Sequence, residues 1–197
     1  DVVDEHTGHY PPLGLMYVAS YAEKHTNHEI EILDTQVEEM DYDAIRQEIV
    51  RRRPDVVGIQ TMTFTVIDAI LTAKTVKEVD KSIHVCLGGP HVNIFPEETI
   101  SIPYVDSLVL GEGEYAFADL VNSLNSGGNL NTVKGIVFKK GNEIINTGAR
   151  PLIGKLDEIP FPARHLTPIK KYSSVLARRT PVTTMMTSRG CPYRCSF

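Results

Sequence analysis

Three times in this chain an apolar run of strand length leads into a short loop and then into a helical pattern. The runs are residues 56–60, 83–87 and 105–110. The loops are Thr61-Met62-Thr63-Phe64, whose glycine (Gly58) lies inside the preceding run, Gly88-Gly89-Pro90-His91 and Gly111-Glu112-Gly113-Glu114. Strands alternating with helices imply a parallel sheet covered on both faces. In an open sheet of that kind the loops gather at the carboxyl ends of the strands, where ligands bind. Glycine there lets a backbone approach a flat or bulky ligand closely. Residues 56–114 therefore read as a cofactor shelf.

The segments around the shelf fit the same architecture. Residues 13–24 place Leu15, Met16, Val18, Ala19 and Ala22 at helical spacing. Residues 42–53 carry Ala44, Ile45, Ile49 and Val50 on one face, and Pro54 stops the helix. Residues 65–79 aim Val66, Ile67, Ile70, Leu71, Ala73, Val76 and Val79 inward, a short helix opens at Pro96-Glu97-Glu98, and another spans 114–124. Residues 29–33 alternate and end at Asp34, which predicts a short strand. The fold class is α/β: a Rossmann-like, flavodoxin-type doubly wound parallel sheet. Right-handed crossovers require a strand before the first helix. In a 2-1-3-4-5 order that strand is central, and the chain lacks it or keeps a remnant at residues 1–3. The expected gap is an opening for self-association.

After Gly128 the character changes. Residues 134–140 and 143–147, joined through Gly141-Asn142, give a β-hairpin signal, read as a structural appendage. Pro151, Pro160, Pro162 and Pro168 mark an extended linker. Residues 182–187 read as a new strand, with 188–197 its loop. The expected units are a ligand-binding domain (1–128), the hairpin (129–148), the linker (149–181) and the start of a second domain (182–197). Because the chain opens on Asp1 and stops at Phe197 inside a cysteine-rich motif, it reads as a segment of a longer polypeptide.

Bulk properties narrow the function. A chain of 197 residues that is 42% hydrophobic can bury one sizeable core. A net charge of −5 gives no electrostatic reason to expect nucleic acid. No apolar run reaches membrane-span length and no signal peptide is visible. Three cysteines cannot complete a disulfide framework, which fits a reducing cytoplasm.

Two of those cysteines, in Cys191-Pro192-Tyr193-Arg194-Cys195-Ser196-Phe197, form C-x3-C. A cysteine directly after Phe197 would complete C-x3-C-x2-C, whose thiolates can hold three irons of a [4Fe–4S] cluster and leave the fourth open. A bare C-x3-C equally fits a zinc knuckle or two unrelated surface thiols. Here Thr187-Ser188-Arg189-Gly190 leads into it from a strand-like run, and Phe197 stands at the aromatic position. The whole stretch resembles the cluster loop of radical S-adenosylmethionine enzymes. The resemblance implies that Cys191 and Cys195 are metal ligands in a longer protein that also binds S-adenosylmethionine. With two of three ligands and no barrel, the fragment itself is expected to hold no stable cluster and to be inactive, and no catalytic residue is assigned within it.

With that motif in place, the first unit resembles the cobalamin-binding domain that precedes the radical domain in B12-dependent radical S-adenosylmethionine enzymes. The matching features are Pro11-Pro12-Leu13-Gly14-Leu15, Pro54-Asp55-Val56-Val57-Gly58-Ile59, Gly88-Gly89-Pro90-His91, Gly111-Glu112-Gly113-Glu114 and Leu156-Asp157-Glu158-Ile159-Pro160-Phe161-Pro162-Ala163-Arg164. The resemblance implies a cobalamin held by Leu13, Gly14, Thr61, Met62, Thr63, Gly88, Gly89, Pro90, His91, Gly111, Glu112 and Gly113. It also implies a downstream radical domain as partner, and methyl transfer or another radical transformation as the parent reaction.

Blander roles stand beside these. Thr61, Thr63 or Thr65 can cap the following helix, His91 can be a loop residue beside a proline turn, and Glu114 suits a helix start. Gly111-Glu112-Gly113-Glu114-Tyr115-Ala116 also fits a G-x-G-x-x-A dinucleotide fingerprint. It follows the last strand rather than the first, however, and its two glutamates would repel a pyrophosphate. Asp4-Glu5-His6-Thr7-Gly8 falls one residue short of the D-x-H-x-x-G pattern that supplies a cobalt-ligating histidine in many B12 proteins. That leaves His6 and His9 as candidate ligands, with Asp4 behind them. The alternatives for the whole unit are a substrate-recognition or assembly module that no longer binds cobalamin, and a flavodoxin-like nucleotide domain. An open or a filled space above Gly88 and Gly111 separates the module from the cobalamin reading.

Overall fold

The computed structural model describes residues 8–196. The elements run α1 (Leu13–His25), α2 (Tyr42–Arg52), β1 (Val56–Gln60), α3 (Val66–Val79), β2 (His84–Gly88), α4 (Pro90–Ile94), α5 (Pro96–Ser101), β3 (Ser107–Val109), α6 (Gly113–Asn125), β4 (Ile136–Lys140) and β5 (Glu143–Asn146). Local chemistry sets the helix ends. Asp41 accepts the Ala44 N–H at 2.8 Å to open α2, and Arg53 closes it in the left-handed conformation at φ 49°. Pro90 and Pro96 stand in the first turns of α4 and α5, where the missing N–H costs nothing.

The strands form one sheet in the order β1-β2-β3-β4-β5. β1, β2 and β3 are parallel, with Gly58 opposite Cys86 and Cys86 opposite Ser107. The hairpin β4–β5 joins the same sheet, β4 running antiparallel to β3 with Ser107 opposite Phe138. The architecture is thus the α/β, Rossmann-like one read from the sequence, extended by an antiparallel pair.

Period-two alternation sorts the sheet residues into two cores. Val85, Leu87, Leu108 and Val137 face one way, packing with Ile45 and Ile49 of α2, Ala73 and Val76 of α3, Val92 of α4 and Ile100 of α5. Cys86, Val109, Ile136 and Phe138 face the other way, packing against Ala116 and Leu120 of α6. α1 lies along α6 on that second side. Gly58 belongs to the same side: a Cβ there would come within 3.3 Å of the Phe117 ring, so glycine lets α6 settle against β1.

Two expected strands are not formed. Residues 29–33 pair with nothing, so β1 is the edge of the sheet among the described residues. A strand needs a hydrogen-bonded neighbour, and β1 has its partner β2 on one side only. Residues 182–187 are likewise not a strand; their backbone is held by the linker, Val182 N–H donating to Tyr172 O at 3.0 Å and Arg164 Nη2 to Thr184 O at 2.9 Å. The expected remnant at residues 1–3 and the candidate ligand His6 lie outside the described residues.

The proline-rich linker is strapped to the domain. Ala163 N–H donates to Met16 O at 3.0 Å, His165 meets Glu23 at 3.0 Å, and Tyr172, fully buried, donates its hydroxyl to Asp34 at 2.8 Å. Among the described residues no helix is long and apolar enough to cross a membrane.

Candidate functional site

The loops that follow β1, β2 and β3 meet at the carboxyl ends of those strands, and backbone and side-chain bonds lace them together. Thr61 N–H donates to Gly88 O at 2.7 Å, and His91 N–H donates to Thr61 O at 3.2 Å. Gly89 lies against that contact with φ +104°; a Cβ would stand 2.8 Å from Thr61 O, so the crossing of the first two loops requires glycine. Asn93, on α4, joins the second loop to the third: its Oδ1 accepts Gly111 N–H at 2.6 Å and its Nδ2 donates to Gly89 O at 2.9 Å.

The side chains expected at the shelf divide. The Thr61 hydroxyl, fully buried, turns back to Ile59 O at 3.3 Å, and no side chain caps α3 at its Thr65 N-cap. Thr65 Oγ1 instead accepts Met62 N–H at 3.1 Å and holds the turn before the helix. Thr63 is exposed, and its hydroxyl meets His91 Nδ1 at 3.3 Å. His91 is buried and packs on Phe95 with ring centroids 5.2 Å apart. Pro90 is exposed and starts α4. Leu13 and Gly14 open α1, and Gly14 has open space where a Cβ would stand. Gly113 opens α6 close to Val18 of α1, at 3.1 Å from a would-be Cβ.

The space above the glycines is not filled by the neighbouring aromatics. A Cβ on Gly111 would meet nothing within 4 Å, and one on Gly88 would meet only its sheet neighbour Val109 at 3.9 Å. Phe64 is 82% exposed, and Ile67, Ile94 and Phe95 are exposed as well. Open space at the glycines, with exposed apolar side chains on the same loops, leaves room for a large, flat ligand.

Glu112 and Glu114 face another way. Glu112 Oε1 accepts from Arg189 at 2.9 Å and its Oε2 accepts Ile153 N–H at 2.6 Å; Glu114, buried, accepts from the second nitrogen of Arg189. The guanidinium also lies 5.3 Å over the Tyr17 ring. Burial works against the Arg189 charge, but hydrogen bonds to Glu114 and Glu112 outweigh it and raise its pKa above the ordinary value. Cys191 and Cys195 follow on an exposed loop. No group of three His, Cys, Asp or Glu residues that could hold a metal occurs among the described residues. His9, the described candidate ligand, has its Nδ1 buried without a partner.

Sequence reasoning missed Asn93 and the pairing of Arg189. Neither carries a spacing signal: each bond joins residues that only the fold brings together.

A family model described as "B12 binding domain" matches residues 1–121. An uncharacterized methyltransferase, PH0819, of Pyrococcus horikoshii is 39% identical over 188 residues, which cover 95% of this chain and 40% of that protein. The cobalamin-dependent radical SAM methyltransferase TokK of Streptomyces tokunonensis is 31% identical over 73% of this chain and 22% of its own. Among solved structures, the cobalamin-dependent S-adenosylmethionine radical enzyme OxsB with aqua-cobalamin and S-adenosylmethionine bound superposes with a TM-score of 0.74 at 20% identity, over 87% of this chain and 24% of that one. At that identity the likeness establishes the fold. The chain spans less than half the length of these curated relatives.

Proposed function

The chain belongs to the B12-binding domain family, and we propose that its three laced loops hold cobalamin for a radical S-adenosylmethionine enzyme that transfers methyl groups. The observation that carries this reading is the open floor at Gly111, where a Cβ would meet nothing within 4 Å. A module that had lost its ligand would be expected to fill that space, and Phe64 instead stays exposed. In this reading Gly88, Gly89 and Gly111 let backbone approach the corrin. Leu13, Gly14, Met62, Thr63 and Pro90 border it, and His91 braces Thr63 from beneath. A bound cobalamin supplies methyl carriage, and the residues of this chain bind and orient it. Cys191 and Cys195 are read as two ligands of an iron–sulfur cluster whose completion, with S-adenosylmethionine, belongs to a downstream radical domain. All three cysteines are free, in keeping with the cytoplasmic location we assign.

Mixing the purified protein with hydroxocobalamin and gel filtering tests the reading. Colour should travel with the protein peak, and a colourless protein fraction would overturn it.

A further inference from the structure

The last anchor before the cysteine loop is Arg189. Among the described residues, nothing from 190 to 196 makes a hydrogen bond or ion pair, and Cys191, Tyr193 and Cys195 are exposed. Arg189, by contrast, is held on three sides. One nitrogen donates to Glu112 at 2.9 Å, the other donates to Glu114, and the Tyr17 ring lies under the guanidinium at 5.3 Å. The side chains of Arg189 and Glu112 are each 21% exposed and that of Glu114 is 5% exposed.

That burial separates this contact from an ordinary surface pair, which contributes about 0–1 kcal/mol. A carboxylate as enclosed as Glu114 requires a charged partner, and taking the partner away leaves the charge uncompensated. The partner must also reach two carboxylates at once. A planar guanidinium with nitrogens pointing apart does so, whereas the compact ammonium of lysine does so poorly. Glu112 adds a third tie, since its other oxygen accepts Ile153 N–H from the linker at 2.6 Å. Glu112 stands on the loop after β3, beside Gly111 of the shelf, and Glu114 follows in the first turn of α6.

We propose that Glu112 and Glu114 form a receptor for Arg189 that docks the cysteine-bearing loop on the rim of the shelf and thereby sets the separation between Cys191 and the shelf. Arg189 is a positioning residue: it stands two positions before Cys191, with only Gly190 between them, and acts through the loop's placement. The functional meaning of that separation rests on reading the shelf as a cobalamin site and the loop as a cluster site. The docking itself rests only on the three side chains and Tyr17.

The test uses this chain with Cys195→Ser, so that a nitroxide label attaches at Cys191 while Cys86 stays buried. The electron paramagnetic resonance line shape should be that of a restrained label. In Glu112→Gln/Glu114→Gln and in Arg189→Met it should sharpen, the correlation time falling from several nanoseconds toward roughly one, the range of a free loop. Arg189→Lys should fall between, because it keeps the charge and loses the fork. Urea unfolding of the same variants reports the sheet, so a general loss of structure is separated from release of the loop. A label in the unaltered loop that is already unrestrained, or one unaffected by Arg189→Met, would overturn the proposal. The assay contains neither corrin nor iron, so its outcome is independent of the hydroxocobalamin test.

Discussion

Asn93 accepts the Gly111 N–H at 2.6 Å, and through that bond the loop after β2 carries the loop after β3. The same amide donates to Gly89 O at 2.9 Å, so one exposed side chain spans two of the three glycine loops. Asn93→Ala removes both bonds, each contributing about 1 kcal/mol net. If the shelf is the cobalamin site, the loss of preorganisation should weaken hydroxocobalamin binding roughly tenfold, and the urea midpoint should fall by the equivalent of about 1–2 kcal/mol. Asn93→Asp keeps the acceptor for Gly111 and loses the donor to Gly89, so it should fall between. An absorbance titration checks both, and equal affinities for the three proteins would remove Asn93 from the site.

Gly89 and Gly111 both have positive φ, at +104° and +70°, but they should respond differently to the same substitution. At Gly89 a Cβ would stand 2.8 Å from Thr61 O in a backbone conformation essentially confined to glycine, with ψ −176°. Gly89→Ala should therefore lower stability by about 2–4 kcal/mol, combining backbone strain with displacement of the first loop. Gly111→Ala meets open space and should cost about 1–2 kcal/mol from strain alone. Gly111→Trp should leave a folded protein that no longer retains hydroxocobalamin, which separates blocking the shelf from unfolding it. Urea denaturation and gel filtration read the two effects.

The contrast between those glycines marks what the sequence could and could not convey. Helix positions were legible because Ile45, Ile49, Ala73 and Val76 repeat at helical spacing and all reach one core. The hairpin was legible from Gly141-Asn142, but its attachment to β3 was not, since register across a sheet leaves no mark in a single strand. Residues 29–33 alternate like a strand, yet alternation states only which residues would face each way and supplies no partner. At the shelf, the glycines announced close approach. Which side chains were committed elsewhere was hidden: Thr61 to Ile59 O, Glu112 to Arg189 and Ile153, and His91 to Thr63. Those bonds join residues from 2 to 77 positions apart, and only the folded chain selects among the partners.

Cys86 gives a prediction about thiol chemistry. It lies in the core against α6 and is fully buried, and burial pushes its pKa up to about 12. At pH 8 it is therefore a neutral thiol without access to reagent, whereas Cys191 and Cys195 are exposed. Treating the native protein with a maleimide at pH 8 should modify two thiols within minutes, and adding denaturant should release the third. Rapid modification of all three would contradict the packing of β2 against α6. Cys86→Ala should leave hydroxocobalamin retention unchanged and cost about 1 kcal/mol or slightly more for the small cavity.

His84 opens β2 at the end of the sheet away from the shelf, with Nε2 2.8 Å from Ser107 Oγ. Burial lowers its pKa; Asp106 works in the opposite direction, and Lys77, paired with Asp106 at 2.5 Å, adds to the lowering. Its folded pKa thus lies below the value of about 6.5 expected when unfolded. The unfolded chain then binds a proton that the folded one refuses. The stabilising contribution is complete above the unfolded pKa and is lost as pH falls toward the folded one. The urea midpoint should therefore drop between pH 7.5 and pH 5.5. His84→Asn keeps a group able to bond Ser107 but cannot titrate, so its midpoint should fall less over the same interval. Parallel pH profiles for the two proteins would show that His84 takes up its proton equally in both states, and the assignment of a neutral, partly buried imidazole at this end of the sheet would fail.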